Sequence, residues 1–368
     1  MLQPNHRAWV EINLDAITHN VCTLKQFLQA GTEFMAVVKA DAYGHGAVAV
    51  AKAAIAGGAS WLGVATIEEG IELRQQGITV PILVLGATTT AEEVYALLEY
   101  RLQPTVSDWG EAQLCERVAH HLGLCLPVHV KIDTGMSRLG MPWQRGAAFL
   151  EAVQKCSALE VVGVYSHLAT ADELDSEFVQ VQNDRFRQSV AGCDIPYRHL
   201  CNTAGLLLAP SLHYNLVRVG LGIYGYVPAP HFRSLVQLHP AMTVKARISH
   251  IKILPPGTGV SYGHRFCTTR ETRVGVVTIG YADGVNRGLS NQVQFSYQDK
   301  LVSQIGTITM DQCMVDLTDL PQVRVGDILT VMADATDWAT KLHTIPWEIL
   351  CGFKHRLPRL ICDGNKTF

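Results

Sequence analysis

The strongest constraint on the fold is a rhythm of eight short apolar runs, at residues 34–40, 61–65, 81–86, 102–107, 127–133, 161–167, 197–203 and 216–221. Between them, stretches such as 47–56, 67–76, 91–100 and 111–121 carry apolar residues at three- and four-residue spacing, the pattern of amphipathic helices. A continuous apolar run offers no polar face to water, so both of its faces must be covered. Strands covered on both faces and linked by helices form a parallel sheet, and eight such units predict an α/β fold, a closed (β/α)8 barrel of the TIM type. A helix over 15–29 is expected ahead of the first strand, with Asn13 as its N-cap and Gly31 as its stop.

After residue 236 the rhythm changes. Runs at 241–253, 273–279, 293–297, 301–308, 314–317 and 328–333 are β-branched, partly alternating, and joined by Gly, Pro and Asp turns. These predict a second, mainly antiparallel β domain over 236–368, following a barrel over 13–235. A short helix is expected within 338–351, with Pro346 suited to its first turn. A chain of 368 residues is long enough for both domains.

Barrel chemistry sits at the carboxyl ends of the strands. Here those ends carry Lys39, Lys131, Asp133, Ser166, His167, Asn202, Thr203 and Arg218, and so many polar groups closing apolar runs point to one polar pocket. Lys39 ends the run Phe34-Met-Ala-Val-Val-Lys39 and precedes the glycine-flanked turn Tyr43-Gly-His-Gly46. Desolvation there disfavours the ammonium and frees the amine as a nucleophile, the form a Schiff base with an aldehyde cofactor requires. Gly220-Leu-Gly222-Ile-Tyr-Gly225 fits a dinucleotide fingerprint, but Val227-Pro-Ala-Pro230 follows where a helix should start, and no acidic residue stands about 20 positions on. It reads instead as a loop whose backbone N–H groups approach a phosphate.

Composition narrows the partners. A net charge of −3 gives no electrostatic case for nucleic acid or an anionic membrane, and no apolar run is long enough to span one. The first residues lack the apolar core of a secretion signal, so a cytoplasmic location is expected. The ten cysteines form no Cys-x-x-Cys pair and read as reduced, mostly buried thiols; the fifteen histidines show no metal-ligand spacing, so no metal is expected.

Six motifs in order then carry a resemblance along essentially the whole chain. They are Ala36-Val-Val-Lys-Ala-Asp-Ala-Tyr-Gly-His-Gly46, Lys131-Ile-Asp-Thr-Gly-Met-Ser-Arg-Leu-Gly140, Arg218-Val-Gly-Leu-Gly-Ile-Tyr-Gly225, Val260-Ser-Tyr-Gly263, Thr278-Ile-Gly-Tyr-Ala-Asp-Gly284 and Gly306-Thr-Ile-Thr-Met-Asp-Gln312. The chain resembles the pyridoxal-phosphate-dependent alanine racemases, two-domain proteins that form homodimers with shared active sites. The resemblance implies that residues 1–12 join the β domain, and that the reaction interconverts L- and D-alanine by two bases, supplying D-alanine for cell-wall synthesis. It implies pyridoxal 5'-phosphate as cofactor, held by Lys39, Tyr43, His167, Thr203, Arg218, Gly220 and Leu221. Lys39 would be one base and Tyr262, from the partner subunit, the other. A phenol titrates near 10 and needs a cationic field to serve as a base; Arg265, Arg287 and Arg218 are the candidates.

Arg138 and the Met310 backbone match the substrate-carboxylate contacts, and Lys131 matches a lysine that many members carbamylate. One departure bears on specificity: Phe353-Lys-His355-Arg-Leu-Pro-Arg359 places His355 where the family has a tyrosine that touches phosphate and lines the substrate gate. Alternatives are a broader, serine-accepting racemase, a fold-related decarboxylase, whose Gly-Gly-Gly phosphate motif is lacking, and a single-barrel cofactor carrier, which has no β domain.

Overall fold

The structure is a computed structural model that describes residues 5–362. The ends of the expected segments, residues 1–4 and 363–368, lie outside the described residues. The strands are β1 (Ala8–Asn13), β2 (Glu33–Val37), β3 (Trp61–Val64), β4 (Ile82–Val84), β5 (Gln103–Val106), β6 (Leu126–Asp133), the short β7 (Met141–Pro142), β8 (Leu159–Tyr165), β9 (Tyr197–His199) and β10 (Leu216–Val219). There follow β11 (Met242–Leu254), β12 (Thr272–Val277), β13 (Gln294–Tyr297), β14 (Lys300–Ile305), β15 (Cys313–Asp316), β16 (Ile328–Met332) and β17 (Arg359–Cys362). The described chain packs as two compact units, one of residues 16–42 and 46–239, the other of residues 5–15, 43–45 and 240–362.

In the first unit eight parallel strands run in the order β10-β2-β3-β4-β5-β6-β8-β9, with β7 beside β6. Backbone bonds from Arg218 N to Cys201 O (3.0 Å) and Asn215 N to Arg198 O (3.4 Å) draw the two ends of the sheet together, nearly closing the barrel. Met35, Trp61, Leu83, Tyr165 and Leu216 fill its interior from five strands. At the amino end the Glu33 carboxylate accepts from Ser60 Oγ (2.9 Å), Trp61 Nε1 (2.8 Å) and the Tyr197 hydroxyl (3.1 Å), tying β2, β3 and β9. Thr66 and Thr90 start two of the crossover helices with reciprocal capping boxes to Glu69 and Glu93.

The second unit is one eight-stranded sheet, β12-β15-β14-β13-β16-β11-β1-β17, curled so that β12 also pairs with β11. Every pairing in it is antiparallel except that of β1 with β17. The alternating burial of β11 over its first half is the half-solvated pattern that antiparallel sheets allow.

Two local expectations need correction, and one holds. The opening helix spans Leu14–Lys25, because from Gln26 the chain tightens into i→i−3 turns well before Gly31. The short helix expected within 338–351 is Pro346–Gly352, opened by Pro346; a further helix, Ala335–Leu342, precedes it and ends at His343, whose φ is 53°. The thiols are not mostly buried: Cys115, Cys201 and Cys313 are, whereas Cys22, Cys125, Cys267 and Cys351 are exposed, lying in turns or on the outer faces of helices.

The turn expected after β2 is present, but its left-handed conformation carries no sequence signal. Ala40, Asp41, Ala42 and Tyr43 all have φ between 51° and 53°, making a left-handed turn ahead of Gly44. Each L residue there costs about 1–2 kcal/mol. Hydrogen bonds hold it: Ala42 N to Val38 O (2.8 Å), Ala40 N to Glu69 Oε1 (2.6 Å), and Ala47 N to Asp41 Oδ1 (2.8 Å). Ala40→Gly is therefore expected to leave stability unchanged or raise it by up to about 1 kcal/mol. Ala96→Gly, in the right-handed helix Ala91–Glu99, should cost about 1 kcal/mol. Urea unfolding of both variants tests this, and equal losses would contradict the left-handed turn.

Candidate active site

The site grows out of the strand ends of the barrel. β2 stops at Val37, its ladder extended one step by Val38 N to Gly63 O (2.8 Å), so Lys39 lies just past the strand tip rather than in it. Lys39 is half-buried at the head of the left-handed turn. Glu69 fixes that turn to the neighbouring loop, since one carboxylate oxygen takes the Ala40 N–H and the other takes Ala65 N at 2.7 Å.

Arg218, in β10, is buried, and its guanidinium is surrounded by acceptors. Nη1 donates to His199 Nδ1 (3.1 Å) and His199 O (3.2 Å); Nη2 donates to Ser166 O (2.7 Å), His167 Nδ1 (3.1 Å) and Leu200 O (3.3 Å). No described carboxylate forms an ion pair with it. The Tyr165 ring lies 5.0 Å from the guanidinium carbon and 5.0 Å from Lys131 Nζ, so one aromatic face system serves two cations. Burial lowers the Arg218 pKa only to about 10, so the group stays charged at neutral pH.

That charge sets the state of its neighbours. Lys131, buried in β6, is brought down to about 7 by desolvation first, then by Arg218 and Arg138. The imidazole of His167 is held well below its usual value by burial and then by Arg218, Lys131, Arg138 and Lys39; His199 is lowered for similar reasons. His129, buried in β6, is lowered to about 3.

The other strand-end residues cluster with these. Asn202 caps the short helix Thr203–Leu208 by accepting from Gly205 N (2.9 Å), and Thr203 Oγ1 accepts from Gly222 N (3.4 Å). Gly220 and Leu221 lead into the 3-10 turn Leu221–Tyr224, with no α-helix behind it. A Cβ at Gly222 would meet Thr203 Cγ2 at 2.9 Å and Leu24 Cδ1 at 2.8 Å, which fixes glycine there. Arg138 is exposed on a loop that Asp133 organises by accepting from Gly135 N (2.9 Å) and Ser137 N (3.0 Å).

The remaining candidates belong to the second unit. Tyr43 is buried there and its phenol is pushed up by burial. Tyr262 is 72% exposed on a turn whose neighbours Ser261, Gly263 and His264 have φ of 64°, 70° and 42°. Thr307 Oγ1 to Tyr262 O (2.8 Å) and Ser261 Oγ to Thr307 O (2.7 Å) pin that turn. Arg265 is exposed three residues on, and Arg287 is exposed in the 3-10 turn Arg287–Leu289.

Met310 is 54% exposed, its carbonyl accepting from Ala282 N (3.0 Å). His355 sits exposed in a turn closed by Leu357 N to Lys354 O (3.1 Å). Arg356 ties this turn to the Met310 loop through Asp311 (2.8 Å) and to the buried Asp283 (3.0 Å), which Arg7 also grips at 2.6 Å. Sequence reasoning missed Glu69, His129, His199 and Tyr165. His129 did signal itself, as a polar interruption between two valines of β6; His199 follows Arg198 in a three-residue strand and gave no such signal.

Three buried neutral histidines make acid stability predictable. Below pH 6.5 the unfolded chain protonates each while the folded chain does not, so stability falls as pH falls, by roughly 1.4 kcal/mol per pH unit per histidine. For His129 the fall continues to about pH 3. Urea unfolding between pH 6.5 and 4.5 should show His129→Gln with a slope shallower by about one proton. Equal slopes would contradict a neutral His129.

Known proteins place this arrangement. Residues 12–228 match the family model described as alanine racemase, N-terminal domain, and residues 241–361 match alanine racemase, C-terminal domain. An alanine racemase of a Nostoc species is 50% identical over 97% of this chain and 96% of that protein. The solved alanine racemase of Clostridium difficile superposes with a TM-score of 0.93 at 35% identity, covering 99% of this chain and 98% of that one. Its complex with cycloserine superposes with a TM-score of 0.91, also at 35% identity, covering 99% and 98%. With both domains matched and half of its residues shared with a named relative, the chain belongs to the alanine racemase family.

Proposed function

We propose that the chain interconverts L-alanine and D-alanine with pyridoxal 5'-phosphate as cofactor and Lys39 and Tyr262 as the two bases. The observation that carries this reading is the charge at the barrel's strand ends. Arg218, Arg138 and Lys39 all bear on Lys131 as cations, against Asp133 as the opposing charge. Such a cationic rim suits a phosphate dianion and a substrate carboxylate together. The turn that Gly220 and Leu221 open beside the Thr203 hydroxyl is of the kind whose backbone N–H groups can approach a phosphate.

When bound, the cofactor supplies the electron sink that weakens the substrate Cα–H bond. In this reading Lys39 anchors it, then takes and returns the proton at Cα from the D-face. Tyr262 of a second copy does so from the L-face. Thr203, Gly220 and Leu221 would hold the phosphate and His167 would pack by the ring, while Tyr43 and His355 are the further phosphate contacts that membership of the family implies. Arg218 has only donors, so a ring nitrogen facing it keeps its lone pair and stays unprotonated. Arg138 and the Met310 backbone receive the substrate carboxylate.

The exposure of Tyr262 and Met310 on pinned turns supports a homodimer in which these residues reach a second copy's site. No described helix is long and apolar enough to cross a membrane. We place the activity in the cytoplasm, where D-alanine feeds cell-wall synthesis.

Lys131 supports one further step. An amine brought down to about 7 is present in part as the free base near neutral pH. Its nitrogen can attack CO2 and release a proton, giving a carbamate whose negative charge would orient Arg138. Native mass spectrometry at neutral pH should find one CO2 per chain, lost on acidification and absent from Lys131→Ala; an unmodified wild-type chain contradicts the step.

The decisive assay is racemisation of L-alanine and L-serine in parallel, read by chiral chromatography. Fast alanine and slow serine are expected, and Tyr262→Phe should lose activity by about a hundredfold or more while keeping its bound chromophore. Comparable rates on serine would mean that His355 has widened the gate. No racemisation of either, with chromophore bound, would overturn the two-base reading.

A further inference from the structure

Behind Arg218 the barrel carries a polar chain that the reaction as described does not use. His199 Nε2 lies 2.9 Å from His129 Nδ1, and His129 Nε2 lies 2.9 Å from Gln103 Oε1. The chain crosses the barrel interior from half-buried Gln103, the first residue of β5, through His129 in mid-β6 to His199 at the end of β9. We infer that Gln103, His129 and His199 form a hydrogen-bond relay of one fixed polarity that positions the Arg218 guanidinium. The inference rests on the reading of Arg218 as the group that meets the cofactor ring.

The polarity follows from donor counting. A guanidinium only donates, so His199 Nδ1 must hold a lone pair toward Arg218. The neutral His199 ring then carries its proton on Nε2 and donates to His129 Nδ1. His129 in turn is protonated on Nε2 and donates to the Gln103 carbonyl, which fixes the orientation of that amide. Neither ring can gain a proton without setting N–H against N–H at its neighbour. Burial disfavours the imidazolium of both rings as well.

Packing holds each ring in this register. A Cβ at residue 163 would overlap the His129 ring, so Gly163 clears the space that His129 occupies. The Trp61 ring meets His129 edge-on at 5.4 Å, and Tyr165 stacks on His199 at 4.7 Å and 7°. The Tyr165 hydroxyl is itself tied to Thr105 Oγ1 at 2.7 Å. Arg218 thus sets the polarity of the relay, and packing holds its rings in register as far as the opposite end of the barrel.

The test is 15N NMR of the histidine rings in holoenzyme labelled at histidine, with two variants of Gln103. Wild type should show His129 and His199 neutral and protonated on Nε2; an imidazolium or an Nδ1–H ring at either position overturns the relay. Gln103→Glu places a carboxylate at the far end, favours a doubly protonated His129, and drives the His199 proton to Nδ1 against Arg218. It should shift the absorption maximum of the bound cofactor and lower kcat on the order of tenfold to a hundredfold with little change in KM.

Gln103→Met removes the acceptor without adding charge, and should keep the tautomers, the spectrum and kcat near wild type while losing stability. A Gln103→Glu spectrum and kcat equal to wild type, or equal to Gln103→Met, overturns the positioning role. Tautomers as assigned in a holoenzyme that racemises nothing would instead overturn the functional reading and leave the relay's polarity standing.

Discussion

A guanidinium buried inside a barrel, with no described carboxylate paired to it, is the interaction on which the rest of this site depends. Removing an ion from water costs several kcal/mol unless other groups replace its hydration. Around Arg218 they are three backbone carbonyls, two imidazoles and an aromatic face. Each must be neutral to serve, and so His167 and His199 stay uncharged beside it. The same positive charge helps to strip Lys131 of its proton near neutrality. Burial first, and this obligate cation second, hold its neighbours toward their neutral forms, and the strand ends acquire a field that calls for anions. Under the proposed function, a phosphate and a carboxylate would answer that field.

The barrel was legible because its strands are buried on both faces, and burial of that kind writes itself as uninterrupted apolar runs. All eight runs correspond to strands, and the loop at Gly220–Gly225 leads into a 3-10 turn rather than an α-helix. What stayed hidden depends on contacts distant in sequence. His129 and His199 stand 70 residues apart, and only the barrel brings their rings together. The left-handed turn from Ala40 to Tyr43 has no signal in alanine and tyrosine, which normally avoid that conformation; it exists because Glu69, 29 residues away, receives the Ala40 N–H. The end of the opening helix at Lys25 was misread because Gly31 is the first strong stop signal, while the chain leaves the helix earlier through i→i−3 turns.

The residues of the second unit follow another logic. Tyr262, Met310 and His355 lie on turns at the surface, yet each turn is pinned, by Thr307, by Asp311 with Arg356, and by the buried Asp283 beneath. Rigid presentation of exposed polar groups fits residues that act on a neighbouring copy. Asp283 is the counterpart of Arg218 in charge and in economy: fully buried, it is satisfied by Arg7, Arg356 and the Gly280 N–H. The His355 turn and the Met310 loop thereby share one anchor, so a change at His355 should be felt at Met310.

The central claim is that Lys39 of one copy works with Tyr262 of another, and subunit mixing tests it most directly. Lys39→Ala and Tyr262→Phe are each expected to be inactive alone. Mixed in equal amounts with subunit exchange verified by native mass spectrometry, half the dimers become mixed, and one of the two sites in each is intact. Activity should return to roughly a quarter of the wild-type value. No recovery despite exchange would contradict a site shared between two copies.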